Sequence, residues 1–260
     1  MEKGRFYLLV ILICSVVVFA FACAREGDIS LSRIKKVGYI AFGISSGNPP
    51  YCFYNSKNEL VGYNVDFANE VAKRLGVKAR FVDTEWKDII TNLNAGMYDC
   101  IVSSMSVTDE RLKIVDFSIP YYYTNSVVMV RKDSAFKTKK DLSGRVLGIK
   151  EGTTYDEDAK ILGGSATRTF KTVEKAIEAL QNKVVDGVIT DEIVANYLYS
   201  TKKYNIVVLD EHIRKGGKMA VAFKKGDASL LKKVNGIIKA MQGDGSLKKL
   251  SEKIVRDRYN

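Results

Sequence analysis

The sequence predicts an α/β protein built as two lobes, with the chain crossing between them twice. Three observations carry that expectation. Short apolar strand-like runs alternate with helical stripes through the first half of the 260 residues, the alternation starts again in the middle, and two final amphipathic stripes have no sheet of their own. Alternation of this kind implies mostly parallel strands joined by crossover helices. Helices without strands must pack on an earlier sheet, so the chain is expected to leave the first lobe and return.

Met1-Glu2-Lys3-Gly4-Arg5 precedes an uncharged run from Phe6 to Ala24. A basic start followed by an apolar stretch is the layout of an export signal. The run is also long enough for a membrane span, which takes about 20 apolar residues. Ala20-Phe21-Ala22 supplies an A-x-A cleavage site, and Cys23 follows where a bacterial lipoprotein is cut and acylated, although Ala20 stands where such a box usually has Leu. The expectation is a signal peptide over residues 1–22 and a lipid anchor on Cys23, the alternatives being a soluble secreted form or an uncleaved span.

Val37 to Phe42 reads as a buried strand, and Val65, Ala68, Val71, Ala72 and Leu75 recur at helical spacing until Gly76 supplies a stop. Ala79 to Val82 is a second strand, Ile89, Ile90 and Leu93 open a stripe that ends at Gly96, and Cys100 to Val102 is a third strand. The pattern resumes with strand Arg145 to Ile149, a helix opening near Thr154 and a helix carrying Val173, Ala176, Ile177 and Leu180. Strands Gly187 to Thr190, Ile206 to Leu209 and Met219 to Phe223 follow, then helices marked by Leu231, Val234, Ile238 and Met241 and by Leu247, Leu250 and Ile254. Lobe 1 is expected over 23–124 and 218–260, and lobe 2 over 125–217. A ligand then belongs in the cleft, at the carboxyl ends of the strands.

Composition narrows the function classes. A net charge of +11 raises nucleic acid as a partner, but the lysines form scattered pairs, such as Lys35-Lys36, Lys139-Lys140 and Lys232-Lys233, with no basic arm, and an export signal removes the chain from most nucleic acid. Nucleic acid is therefore not expected. One histidine, His212, leaves no His-based metal site and no Ser-His-Asp arrangement, so neither a metal nor another cofactor is expected. Cys52 and Cys100 remain in the mature chain, where an oxidising compartment would let them pair if their geometry allows.

Ser103 to Arg111 follows a strand and reads as a helix start rich in hydroxyl residues, whose free N–H groups favour an anion. Arg111 adds a planar fork of donors that matches a carboxylate. The plainer alternative has the serines capping the helix and Arg111 pairing with Asp109 or Glu110 in solvent. Glu151-Gly152-Thr153-Thr154 repeats the shape in the second half, so two helix starts on separate lobes would make a split anion site. Asp191 follows a strand and starts a helix; it is either an N-cap, a carboxylate facing the cleft, or both. Trp86, Tyr51 and Phe53 serve as core or as pocket wall, with core the plainer reading of Phe53.

Together these segments resemble the family-3 periplasmic solute-binding proteins, the polar amino acid receptors of ABC transporters. Pro49-Pro50-Tyr51 with Glu59 to Asp66, Asp99 to Arg111, and Val115 to Tyr122 match that family's P-P-F…G-x-L-x-G-F-D-V-D-L, D-x-I-x-x-x-x-S-x-T-x-x-R and V-D-F-S-x-P-Y-Y patterns, and the agreement runs from about Val37 to the C-terminus. The resemblance implies a two-lobed type II periplasmic binding fold that closes on a free α-amino acid and delivers it to an ABC permease. It implies that Arg111, the Ser106 N–H and Thr154 hold the ligand carboxylate and that Asp191 and Ser104 hold its ammonium. Trp86 and Tyr51 would wall the pocket, with Asn48, Ser103 and Lys150 near the side-chain end. Gly43 to Asn48 lacks the acid and aromatic that members selective for lysine or arginine tend to carry, and Asn64 stands in place of the usual Asp. The ligand is therefore expected to be polar and not exclusively cationic, and the protein a monomer. An enzyme, in the manner of the periplasmic dehydratases of prephenate or arogenate, and a sensor for a separate receptor are the alternatives; Glu151 is the acid or base an enzyme would need near the cleft.

Overall fold

The computed structural model describes residues 28–163, 166–201 and 204–256. The expected signal peptide over 1–22 and the lipid anchor at Cys23 lie outside the described residues. Among the described residues no helix is long and apolar enough to cross a membrane.

Helix α1 (Ser30–Val37) opens the described chain and stops where Gly38 takes the left-handed conformation, φ 76°. Val37 thus ends a helix instead of starting a strand, and β1 begins at Tyr39 and runs to Ile44. The short pair β2 (Phe53–Tyr54) and β3 (Leu60–Val61) leads into α2 (Tyr63–Leu75), which Gly76 ends as expected, φ 71°. Then come β4 (Lys78–Asp83), a 3₁₀ turn at Trp86–Asp88, α3 (Ile89–Asn94), β5 (Cys100–Ser106), the single turn α4 (Asp109–Leu112), β6 (Val115–Phe117) and the long β7 (Tyr122–Arg131).

The second half builds β8 (Val146–Lys150), α5 (Tyr155–Ile161), β9 (Ala166–Phe170), α6 (Val173–Gln181), β10 (Gly187–Asp191), α7 (Glu192–Thr201) and β11 (Ile206–Val208). The chain returns through β12 (Arg214–Lys224) and ends in α8 (Ala228–Gly243) and α9 (Ser246–Arg256). β4, β1 and β5 pair in parallel, as do β9, β8 and β10. Of these strands β4, β1, β5, β8 and β10 were read from the sequence, whereas β9 was not.

Two antiparallel strands join them. β12 pairs with β7 through Arg214 to Met219 and with β5 through Met219 to Phe223, while β7 pairs with β10. β7 leaves the first group and β12 comes back to it, which gives the two crossings. In the first group α2 buries Phe67, Ala68, Val71, Ala72 and Leu75, and both α8 and α9 pack against α2. The last helices therefore do return to the first sheet. In the second group α6 buries Ala176, Ile177 and Leu180 against β8 and β10. At about 25 cal/mol per Å² of apolar surface, these faces are what hold each layer together.

The sequence reading of Ser103 to Arg111 needs correction. Ser103 to Ser106 continue β5, and the helix that follows is one turn with Thr108 as its N-cap. Ser-Met-Ser mimics a helix cap locally, but pairing of β5 with β12 as far as Ser106–Met219 extends the strand. Cys52 and Cys100 are both buried and both free, so the two thiols do not pair in this structure.

Candidate functional site

The ends of β5, β8 and β10 converge on one cavity between the lobes. Its lining contains Arg111, Ser106, Thr154, Asp191, Ser104, Trp86, Tyr51, Asn48, Ser103 and Lys150, so every cleft residue expected from the sequence meets there. Thr153, Tyr155, Val173, Thr190 and Met219 complete the lining. No local motif marks Val173 or Met219, which reach the site only through the long-range pairing of their elements. Phe53 is not in the wall; it is half-buried on β2 with its ring 6.0 Å from that of Tyr197. Glu151 does not line the cavity.

Arg111 is held from both sides by neutral groups. Its Nη1 donates to the Ser106 carbonyl at 2.9 Å and its Nη2 donates across the cleft to the Gly152 carbonyl at 3.2 Å. Its backbone N–H donates to the Thr108 hydroxyl at 3.2 Å, the N-cap bond of α4. Asp109 and Glu110 form no ion pair with it, contrary to the solvent-pairing alternative. Burial draws its pKa down, against the opposing charges of Glu157 and Tyr155. An arginine at this position stays charged, so the cavity keeps an unneutralised guanidinium.

Asp191, at the end of β10, lines the same cavity and is only 6% exposed. Its Oδ1 accepts from the Tyr51 hydroxyl at 2.8 Å and from the N–H groups of Ile193 at 2.8 Å and Val194 at 3.4 Å. The residue thus caps α7 and faces the cleft together, as both readings required. Burial pushes its carboxyl up to about 6, against the stabilising bonds from Thr124, from Tyr51 and from the helix start. Tyr51 is fully buried and its hydroxyl also bonds that of Tyr122.

Ser104 has a positive φ of 51°. That region costs a residue with a Cβ about 1 kcal/mol or more, and its neighbours hold it there. Its N–H donates to the Tyr121 hydroxyl at 3.1 Å, while the Asn64 amide donates to its Oγ at 3.1 Å and accepts from Tyr121 at 3.0 Å. Asn64, which departs from the usual Asp, is thereby a buried support for the cavity wall. The Ser103 Oγ accepts the Ser45 N–H at 3.0 Å, leaving its own proton for another acceptor. Thr154 is the N-cap residue of α5, yet its side chain makes no capping bond.

Trp86 joins the lobes. Its Nε1 donates to the same Gly152 carbonyl at 2.9 Å. Gly152 has φ 68°, and a Cβ there would sit 3.3 Å from the indole, so glycine suits both the turn and the close approach. The Arg111 guanidinium carbon lies 5.5 Å and the Lys150 ammonium 5.4 Å from the indole centroid. A second cavity continues past Ser106, Thr154 and Asp191 toward Arg214 on β12.

Residues 40–257 match the family model of bacterial extracellular solute-binding proteins, family 3. The L-cystine-binding protein TcyJ of Escherichia coli is 32% identical over 226 residues, covering 86% of this chain and 85% of that protein. Among solved structures, the ancestral amino acid-binding protein AncCDT-1, a precursor of cyclohexadienyl dehydratase, is similar with a TM-score of 0.80 and 34% identity, covering 86% of this chain and 98% of that one. Holo ArgBP from T. maritima is similar with a TM-score of 0.76 and 31% identity, covering 81% of this chain and 93% of that chain.

Proposed function

We propose that this chain, which belongs to the bacterial extracellular solute-binding proteins of family 3, receives an amino acid outside the cytoplasm for an ABC transporter, with its ligand held between the lobes. The observation that carries the site assignment is the charge pattern of the cavity. A guanidinium hydrogen-bonded only to carbonyls and a buried carboxylate line the same cavity, a pairing of charges that complements a zwitterion. Arg111 takes the α-carboxylate, with Ser106 and the uncapped Thr154 hydroxyl as further donors. Asp191 takes the α-ammonium, with the strained Ser104 beside it. Trp86 and Tyr51 wall the ligand stem, and Asn48, Ser103 and Lys150 meet its side chain.

Lobe 1 is taken as 23–124 and 218–260 and lobe 2 as 125–217, with β7 and β12 as the hinge. Ligand contacts on both lobes bias that hinge toward closure. A lipid on Cys23 would keep the receptor, acting as a monomer, beside its permease.

Dehydratase chemistry is the alternative reading, and the likeness to AncCDT-1, itself an amino acid-binding protein, does not favour it. It needs a free acid or base in the cavity, and Glu151, the candidate from sequence, is not in the lining. The test is calorimetric titration of the mature protein with the common amino acids, alongside Arg111→Ala and Asp191→Ala. The expected outcome is tight binding of at least one amino acid, abolished by either substitution while the fold survives. Unchanged affinity in either variant overturns the site assignment. Turnover of prephenate or arogenate would establish the enzyme instead.

A further inference from the structure

Lys150 ends β8 inside the cavity and is 6% exposed. Among the described residues no carboxylate forms an ion pair with it. The acidic groups that act on it do so from a distance: Asp83 accepts the Ser46 N–H and hydroxyl at 3.0 and 2.6 Å, Glu85 lies 3.8 Å from Lys171, and Glu174 is on α6. Burial accordingly draws the Lys150 pKa down. An ammonium taken out of water without a counterion is costly, and a ligand anion brought beside it relieves that cost.

Lys150 and Arg111 stand over the same ring, 5.4 and 5.5 Å from the Trp86 centroid. A short ligand lying along the indole with its α-carboxylate on Arg111 would bring its other end to Lys150 and to the Ser103 hydroxyl, whose proton is uncommitted. We propose, resting on the amino acid reading above, that Lys150 is the specificity determinant of this site and that the ligand is a dicarboxylic amino acid of the aspartate or glutamate class. A cationic side chain meets a fixed positive charge there, and a neutral amide leaves the ammonium without its counterion.

The experiment is calorimetric titration of the wild-type protein with L-glutamate, L-aspartate, L-glutamine and L-arginine, repeated with Lys150→Met and Lys150→Arg. The expected result is that one dicarboxylate binds at least about tenfold more tightly than glutamine, with arginine weakest. Lys150→Met should weaken that dicarboxylate by about thirtyfold and change glutamine by no more than about threefold, while Lys150→Arg keeps the dicarboxylate preference. Glutamine or arginine binding the wild type as tightly as the dicarboxylates overturns the proposal, a result that needs no variant to fold. Equal loss of glutamate and glutamine in a folded Lys150→Met protein overturns it as well. If a neutral or cationic amino acid binds tightly, the amino acid reading stands and only the assignment to Lys150 falls. If no α-amino acid binds, the amino acid reading itself fails.

Discussion

Arg214, on β12, and Arg111, on α4, both reach the cleft, and their surroundings differ in kind. The Arg214 Nη2 lies 2.9 Å from Asp158, which is 1% exposed, and 3.1 Å from Glu157. The Arg111 guanidinium is hydrogen-bonded to carbonyls alone. One charge is already neutralised inside the protein and braces the hinge strand against lobe 2; the other has dipoles to orient it but nothing to cancel it. On the proposed reading, the absence of a carboxylate is what separates a cation free to meet a ligand from a structural one, whatever its depth.

The largest expected effect tests that difference directly. Arg111→Ala should cost about 2 to 5 kcal/mol of amino acid affinity in calorimetry and little thermal stability, since it removes an uncompensated charge. Arg214→Ala should do the reverse, lowering stability by about 2 kcal/mol in denaturant titration because Asp158 keeps a buried charge without its partner, the figure being reduced for the partial exposure of Arg214. If Arg214→Ala abolished binding and left stability intact, the division between the two arginines would be wrong.

The second effect is in pH. The folded pKa of Asp191, about 6, stands above its ordinary value of 3.8. In the empty protein this group therefore favours folding most below pH 4, and that contribution is lost as pH rises through 6. Ligand binding runs the other way, because an ammonium needs the carboxylate charged. Affinity should fall about tenfold between pH 7 and pH 5, and Asp191→Asn should abolish this dependence along with most of the binding. A flat affinity profile over that range would remove Asp191 from the ammonium site.

The third effect is smaller. Trp86→Phe deletes the indole bond to Gly152, worth about 1 kcal/mol, and should shift the empty protein toward an open shape in small-angle scattering. Thr108→Ala deletes the N-cap bond that seats Arg111, and should weaken amino acid binding by less than Arg111→Ala at a stability cost of about 1 kcal/mol by thermal denaturation.

The alternation of strands and helices was legible because each element carries its own period, as α2 and α6 do, and because Gly76 stops α2 by its own conformation. Helix α1 was not, because its apolar face is only Leu31 and Ile34 over eight residues, too short a period to announce a helix. The hinge was legible only as a necessity of chain return; β7 and β12 find each other across the chain, and no local pattern encodes that pairing. In the cavity, Arg111, Asp191 and Thr154 line the wall where their motifs and the family resemblance led one to look. Gly152 showed its turn but not its carbonyl's partners, and Ser103 to Ser106 were misread because hydroxyl residues at a strand end look like a helix cap.

Trp86 is the sole tryptophan of the chain, and it bonds the opposite lobe from inside the cavity. Indole emission depends on the polarity of its surroundings and on hydrogen bonding at its ring nitrogen. On the proposed closure, opening the cleft would break the bond to Gly152 and wet the ring, and a bound ligand would displace water from its face. If the cleft closes on its ligand as proposed, Trp86 would be an intrinsic optical reporter of closure and occupancy, readable by steady-state or stopped-flow fluorescence without a label.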